Sequence, residues 1–476
     1  MSLPIEPPIR DRPQAEEEAR IQDERLYNRP RDRRAVPGSL REVSILAYPV
    51  ILTQLAGALM GVIDSAMVGR LGATELAGVG FGGIWIWTIF CFFIGAATGI
   101  QTFVSQHHGA GEYRLCGGWA WQGFLLLVPL TTLTAALCFF AMESLLDLLA
   151  PSDSMRPVAS IYMEIRTLGV PGFVIAMVFS AFFRGIGDTR TPLYLSLLAN
   201  GLNAVLDYGL IFGRLGLPEW GVRGAATATA ISEWALAIII LGVFLRRKLR
   251  REFGTSTLKI SWKEERRLTR VSIPIGGQWT LEMLSFAVFV VFVAQMGDIA
   301  MAASQAFLAL LSLSYMQASG LGIAVATLVG RYIGAKEFHH VERTFRSGQQ
   351  LSLILGIAIG LVFLLAPELM IRIFSDDPEV LRLGSSLLLV GAVYQFFDIF
   401  SIMADGALHG AGDTRVPFLM RFLLAWGLFL PLAYFLGVHL EGGLNAAWMG
   451  GVIYVMLLAF YLIWRFRSGA WRKLQI

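Results

Sequence analysis

Cysteine is scarce in this sequence, and so is charge: 3 cysteines among 476 residues, and 16% Asp, Glu, Lys and Arg. Cys91, Cys116 and Cys138 all fall in the first half, two within apolar runs and one in a short loop, without metal-ligand spacing. That excludes a disulfide framework. Histidine is also rare; the adjacent pairs His107/His108 and His339/His340 stand at the polar ends of apolar runs, an interfacial rather than a metal-binding placement. Metal sites of that kind are not expected. No nucleophile, base and oxyanion donors occur at workable spacing, which argues against an enzyme. Residues 1–43 lack any apolar core and are rich in Arg, Glu, Asp and Pro, so a charged, disordered cytoplasmic arm is expected there and no cleavable signal peptide.

What the chain has in abundance is apolar length. It is 55% hydrophobic and 12% aromatic, with a mean hydropathy of +0.61, and the apolar residues come in runs of about twenty or more, the length a hydrocarbon core roughly 30 Å thick requires of a helix. The ten-residue alternating strands of a membrane β-barrel do not occur. Runs near 45–68, 76–105, 117–145, 156–182, 189–213 and 222–245, then 271–296, 302–330, 347–373, 383–408, 414–437 and 443–465, predict an all-α polytopic membrane protein of twelve spans. The expected organisation is a first lobe over 44–246, a basic cytoplasmic linker over 247–270, a second lobe over 271–466 and a cytoplasmic tail over 467–476. Placing the N-terminus in the cytoplasm assigns about thirty Lys and Arg to that side and about six to the other. Both termini are therefore expected in the cytoplasm, with the chain in a bacterial inner (plasma) membrane. The high pI of 9.0 reflects those loops and not a nucleic-acid surface.

The two sets of spans repeat. FRGIGDTRTP at 183–192 returns as LHGAGDTRVP at 408–417, and the same shift of 225 residues carries Pro49 onto Pro274, Gly72 onto Gly297, Gly95 onto Gly320, Thr102 onto Thr327 and Gly109-Ala110 onto Gly334-Ala335. Six helices per copy is an even number, so both copies have the same orientation, related by a pseudo-two-fold axis along the membrane normal. Asp188 and Asp413 suit N-caps, Pro192 and Pro417 a first turn, and Gly109 and Gly334 a helix C-terminus. Arg190 and Arg415 suit the lipid phosphate level.

VIDSAMVGRLGATELAGVG, the helix ending QTFVSQHHGAGE, the two GDTR turns, and GLNAVLDYGLIFG followed by GVRGAATATA together resemble the MATE family, the multidrug and toxic compound extrusion transporters. The resemblance runs from about residue 44 to 466. It implies efflux of organic, often cationic compounds in exchange for Na⁺ or H⁺, with no other cofactor.

Carboxylates within a span cost at least about 2.5 to 3.5 kcal/mol at a helix centre, which makes each a functional candidate. Asp64 and Asp207 lie late in outward-running spans and Thr229 early in an inward-running one, so all three are expected in the outer half of the first lobe. Asn203 stands four residues before Asp207 on the same helical face. These four would form an all-oxygen pocket for a hard cation, or a network that only locks the lobe together. The resemblance to DinF-like members makes the matching Asp, Asn, Asp and Thr the coupling-ion or proton site. Near the place where those members carry Asn late in span four, this chain has Ser180. Glu282 and Asp398 share a depth near the centre of the second lobe and resemble the paired acids of NorM-like members, which take part in cation coupling or substrate binding. Asp405 follows Asp398 by seven residues and is either an interfacial residue beside His409 or part of the pathway. Tyr315 and Tyr394 are candidates for cation–π contact with a ligand, with core packing as the plainer role. Arg166 and Glu164 do not share a helix face, so each is expected at the interface or paired to another helix.

A carboxylate in a low-dielectric site favours its neutral form, so a proton and Na⁺ become competing ways to neutralise it. One charge moving inward yields about 2.3 kcal/mol per 100 mV, enough for a gradient of about fifty-fold in an expelled monocation. The expected function is therefore Na⁺- or H⁺-driven antiport of an organic cation or other small amphipathic substrate, by a monomer in the lipid bilayer. The alternative within transport is a flippase for lipid-linked oligosaccharides, which calls for several cavity-lining Arg or Lys where this sequence places acids; a passive channel suits the lobed repeat less well. At the shift of 225, Asp64 maps onto Phe289, Glu282 onto Gly57 and Asp398 onto Phe173. By sequence the lobes are alike in build and different in charge.

Overall fold

In the computed structural model, which describes residues 35–149, 152–256 and 261–474, twelve helices are long and apolar enough to cross a membrane, and the described residues contain no strand. We number them α1 (Leu40–Val68), α2 (Ala73–Gly109), α3 (Tyr113–Phe140), α4 (Arg156–Gly185), α5 (Arg190–Phe212), α6 (Val222–Phe244), α7 (Trp262–Ala294), α8 (Asp298–Gly334), α9 (Phe338–Leu365), α10 (Pro378–Ala411), α11 (Arg415–His439) and α12 (Gly443–Arg467). All twelve apolar runs are found. Most of the proposed arm, residues 1–34, lies outside the described residues, as do 257–260 of the linker and the last two residues of the tail.

The helices depart from the apolar runs at α9, which spans Phe338–Leu365 where the run lies at 347–373, and at α7, which begins inside the linker. Ser261 caps it by accepting from the Glu264 amide at 3.4 Å, and Glu264 and Glu265 favour the positive end of the helix. The polar break at 262–270 marks where lipid ends, not where the helix does. Ser39 and Glu42 cap α1 in the same S-x-x-E pattern, with the Glu42 amide donating to Ser39 Oγ at 3.3 Å. Asp188 receives the Thr191 amide at 3.0 Å and its hydroxyl at 2.6 Å, so it caps α5 as expected. Asp413 does not cap α11; its carboxylate receives Arg465 Nε of α12 at 2.8 Å instead.

Two apolar cores form, and two helices divide their length between them. The first core holds residues of α2, α3, α4 and α6, yet also Leu268, Val271 and Ile275 from the first half of α7. The second holds α8, α9, α10, α11 and α12, yet also Val43, Leu46 and Ala47 from the first half of α1. Farther along, Phe289 and Val293 of α7 join the second core, and Val68 of α1 packs with Ile211 and Ala225 of the first six helices. Each straddling helix carries an internal proline, Pro49 or Pro274, in the half that crosses over. Close approach there depends on glycine: a Cβ on Gly320 of α8 would meet the Ile51 backbone of α1 at 2.9 Å, and one on Gly95 of α2 would meet Trp279 of α7 at 2.9 Å.

In the second core, fully buried Trp448 sits edge-on to Phe289, Phe307 and Tyr394 at centroid distances of 4.9, 4.7 and 5.7 Å. Trp448→Ala is expected to remove about 3 to 5 kcal/mol of stability, read as a lowered unfolding temperature in detergent; an unchanged temperature would contradict this packing.

Candidate functional site

The first-lobe cluster begins on α5, where the four-residue spacing sets Asn203 and Asp207 on one buried face. Asn203 Nδ2 donates to Asp207 Oδ2 at 2.7 Å, and Asp207 is wholly buried. The Asp64 carboxyl, near the end of α1, stands within electrostatic reach of that of Asp207. One oxygen of each acid, Oδ1 in both cases, is buried without a partner. Two acids this near one another disfavour each other's charged form, an arrangement that suits uptake of a proton or a cation. Thr229 is not drawn into hydrogen bonding with the acids among the described residues; its hydroxyl donates back to the Ala225 carbonyl of α6 at 3.0 Å.

Arg166 of α4 stands within electrostatic reach of Asp64. Its guanidinium is held in a bidentate pair by Glu233 of α6, at 2.7 and 2.9 Å, with Tyr162 within electrostatic reach. Glu164 lies apart from this pair and receives the Ser160 hydroxyl at 3.0 Å.

In the second lobe, Arg421 of α11 bridges two acids. Its Nη1 donates to Glu282 Oε1 of α7 at 3.0 Å and its Nη2 to Asp405 Oδ2 of α10 at 3.3 Å. Gln278 Nε2 adds a 2.7 Å bond to the same Asp405 oxygen, and His409 Nε2 lies 3.4 Å from Asp405 Oδ1. Asp405 thus belongs to the cluster and is not an interfacial residue. Among the described residues, the Asp398 carboxylate holds a long 3.5 Å contact from Ser401 Oγ and no other hydrogen bond. Gln278, Leu281, Glu282, Phe418, Arg421, Phe422 and Ala425 line a cleft between α7 and α11. Just beyond Arg421, α11 passes into π-helical turns at Ala425–Phe429 and Phe435–His439, a feature frequent at functional sites. Tyr315 is 37% exposed and within electrostatic reach of Glu282. Tyr394 is buried against Trp448.

The two clusters therefore match in charge complement, Asp64, Asp207, Glu233 and Arg166 against Glu282, Asp398, Asp405 and Arg421, although no charged position of either cluster repeats in the other. They differ in depth. Asp207 lies 17 residues into α5 and Arg421 only 6 into α11, a difference of about 17 Å along equivalent helices.

At the end of the bundle that carries the basic loops, the lobes are locked by a pseudo-symmetric set of bonds. Thr102 of α2 donates to the His409 carbonyl at 2.8 Å, and its repeat Thr327 of α8 to the Arg184 carbonyl at 3.3 Å. Gln106 donates to the Gly410 carbonyl at 3.0 Å, and its repeat Arg331 to the Ile186 carbonyl at 3.2 Å. Gln101 Nε2 donates across to Thr327 Oγ1 at 2.9 Å. Gly109 and Gly334 do more than end their helices: a Cβ on either would collide with a backbone carbonyl of the opposite lobe, that of Arg331 or Gln106.

The MatE family model matches residues 49–209 and again 274–435, one match in each copy of the repeat. The chain belongs to the MATE family. A relative from Thermotoga maritima described as a probable multidrug resistance protein NorM is 31% identical over 444 residues, covering 92% of this chain and 94% of the relative. The multidrug resistance protein PmpM of Pseudomonas aeruginosa is 29% identical over 452 residues, at 92% and 94% coverage. Among solved structures, an outward-facing multidrug resistance MATE transporter aligns with a TM-score of 0.84 at 21% identity, covering 91% of this chain and 97% of that one. A eukaryotic MATE transporter aligns at 0.81 and 20%, with 91% and 96% covered.

This MATE chain is thus an integral membrane transporter and not an enzyme. Two of its charged residues escape the sequence reading. Glu233 stands inside the apolar run ISEWALAIII and Arg421 inside MRFLLAW, and the cost of placing charge in lipid marks both. Reading the mid-span residues as mainly acidic overlooks Arg421, which neutralises part of the second cluster.

Proposed function

We propose that this transporter is a Na⁺- or H⁺-coupled antiporter that exports organic cations or other small amphipathic compounds, the two lobes alternating access to a cleft between them. The observation that carries the proposal is the Asp64–Asp207 pair, with one buried and unpartnered oxygen on each acid. With the basic end in the cytoplasm, the lock between α2 and α8 closes the inner side, and the first-lobe acids lie in the outer half where an entering ion meets them. Ion uptake there neutralises the pair and favours reorientation. A single chain supplies both lobes, which suits a monomer in a bacterial inner membrane.

Substrate is assigned to the second lobe, where Glu282 is partly exposed and lines the cleft between α7 and α11. Glu282→Gln is expected to weaken binding of ethidium, an organic cation, by about tenfold, the worth of one charge-assisted contact; equal affinity in titrations of the purified variant would remove Glu282 from the site. The flippase reading finds little support, because Arg421 is already engaged by two carboxylates.

Antiport requires that substrate and ion oppose each other. In purified protein the Kd for ethidium is expected to rise about fivefold or more when either Na⁺ replaces choline at constant ionic strength or pH is lowered. Affinity indifferent to both ions would contradict coupling.

A further inference from the structure

The first-lobe acids have a neighbour that no part of the coupling scheme uses: a cation already inside the lobe. Arg166 is held by Glu233 through both forks of its guanidinium, with 14% and 12% of the two side chains exposed. Gly169, one turn beyond Arg166 on α4, makes room for this geometry, since a Cβ there would collide with Glu233 Oε2. Arg166 also stands within electrostatic reach of Asp64, and Tyr162, one turn before it on α4, lies within reach of Arg166, Asp64 and Glu233. Asp64 keeps a buried oxygen without any donor.

We propose that Arg166 is a positioning residue acting as a tethered cation: it pairs with Glu233 while the Asp64–Asp207 pair holds its proton or Na⁺, and turns toward Asp64 when that ion has left. This rests on the ion-coupling role of Asp64 and Asp207. The physical reason is a competition for one cation among three acids. Neutralised, the Asp64–Asp207 pair exerts little pull and the bidentate geometry with Glu233 prevails. Deprotonated or emptied, it presents an unneutralised carboxylate, and the Arg166 guanidinium, within electrostatic reach in the same lobe, can answer it. Departure of the coupling ion from α1 and α5 would thereby loosen the α4–α6 pairing and transmit the state of the site across the lobe.

The groups facing Asp64 are few. They are Asp207 with Asn203 from α5, Arg166 and Tyr162 from α4, and, through Arg166, Glu233 from α6. At the turn into α2, Arg70 is exposed and the Glu75 carboxylate folds back on Gly72. Among the described residues α8 and α9 meet α1 in its first half, where Glu42 and Tyr332 bond at 2.7 Å.

The proposal predicts shifts of opposite sign for the two members of one ion pair. Ethidium efflux from proteoliposomes is measured as a function of pH and, separately, of Na⁺. Arg166→Gln removes a positive charge beside Asp64, so the ion-dependent midpoint moves toward tighter ion binding, by about tenfold in half-saturating ion. Glu233→Gln frees Arg166 for Asp64 and moves it the other way by a similar factor. The double variant returns toward the shift of Arg166→Gln alone, and Arg166→Lys stays near the wild type. Shifts of the same sign, or unmoved midpoints, in folded Arg166→Gln and Glu233→Gln would overturn the proposal; if either single variant fails to fold, the double variant and Arg166→Lys decide it by the same midpoint. Asp64→Asn serves as the separate reference. Ion dependence that survives Asp64→Asn would overturn the coupling reading itself, whereas ion dependence lost in Asp64→Asn but unmoved by the pair would overturn only the role of Arg166.

Discussion

Asp64→Asn and Asp207→Asn are each expected to lower ion-driven efflux by about a hundredfold or more while leaving folded protein in the membrane. The substitution keeps the side chain's shape and removes its ability to carry a charge. An opposite charge in contact is worth about one to three pH units in occupancy to a buried carboxyl, so losing one of two acids weakens ion capture by a comparable power of ten. Asn203 already fills one side of Asp207, and a second amide in the cluster supplies hydrogen bonds without net charge. Ethidium binding in the second lobe should persist, because among the described residues no second-lobe group forms a hydrogen bond or ion pair with these two acids. Comparing efflux with binding in the same preparations separates failed coupling from failed folding. Undiminished efflux in both variants would leave the pair a structural network only.

The second large effect concerns the lock at the basic end. Gly334→Leu or Gly109→Leu is expected to abolish transport by preventing closure, since the added side chain meets the main chain of the opposite lobe, and backbone does not move aside as a flexible side chain can. Overpacking of this kind costs about 1 to 3 kcal/mol. That is similar to the gap between two functional conformers, so the open form becomes the major one. Thr327, fully buried in the lock, reports on it: Thr327→Cys should resist a membrane-impermeant thiol reagent applied from the basic side and become reactive when combined with Gly334→Leu. Gly118→Ala, where a Cβ meets nothing within 4 Å, is the control. Continued shielding of the introduced thiol in the double variant would show that the lock tolerates the volume and is not a gate.

Much of this architecture is legible in the sequence because lipid imposes a simple rule on length and polarity. The twelve runs and the repeat of FRGIGDTRTP as LHGAGDTRVP follow from it, and so does the Asn203–Asp207 face, which is local to one helix. What the sequence hides is which helix an apolar face meets. Val43, Leu46 and Ala47 look like any apolar turn, yet they pack on the second core; Leu268, Val271 and Ile275 pack on the first. The lobes are therefore interleaved at one end in a way that no hydropathy pattern expresses. The same limit explains the ion pairs. Arg166 is read beside Glu164, two residues away, whereas its partner Glu233 is 67 residues distant on α6. Arg421 and Asp405 are joined only by the fold, and their union turns a lobe that looks purely acidic into one with an internal counter-charge.

We propose that ion entry at Asp64 and Asp207 drives export of an organic cation. The most direct measurement is ethidium efflux from proteoliposomes driven, in separate experiments, by an imposed Na⁺ gradient and an imposed pH gradient, with wild-type protein and Asp64→Asn side by side. At least one gradient should accelerate wild-type efflux severalfold and have no effect on Asp64→Asn. Efflux that neither gradient accelerates, or that Asp64→Asn supports as well as the wild type, would contradict it.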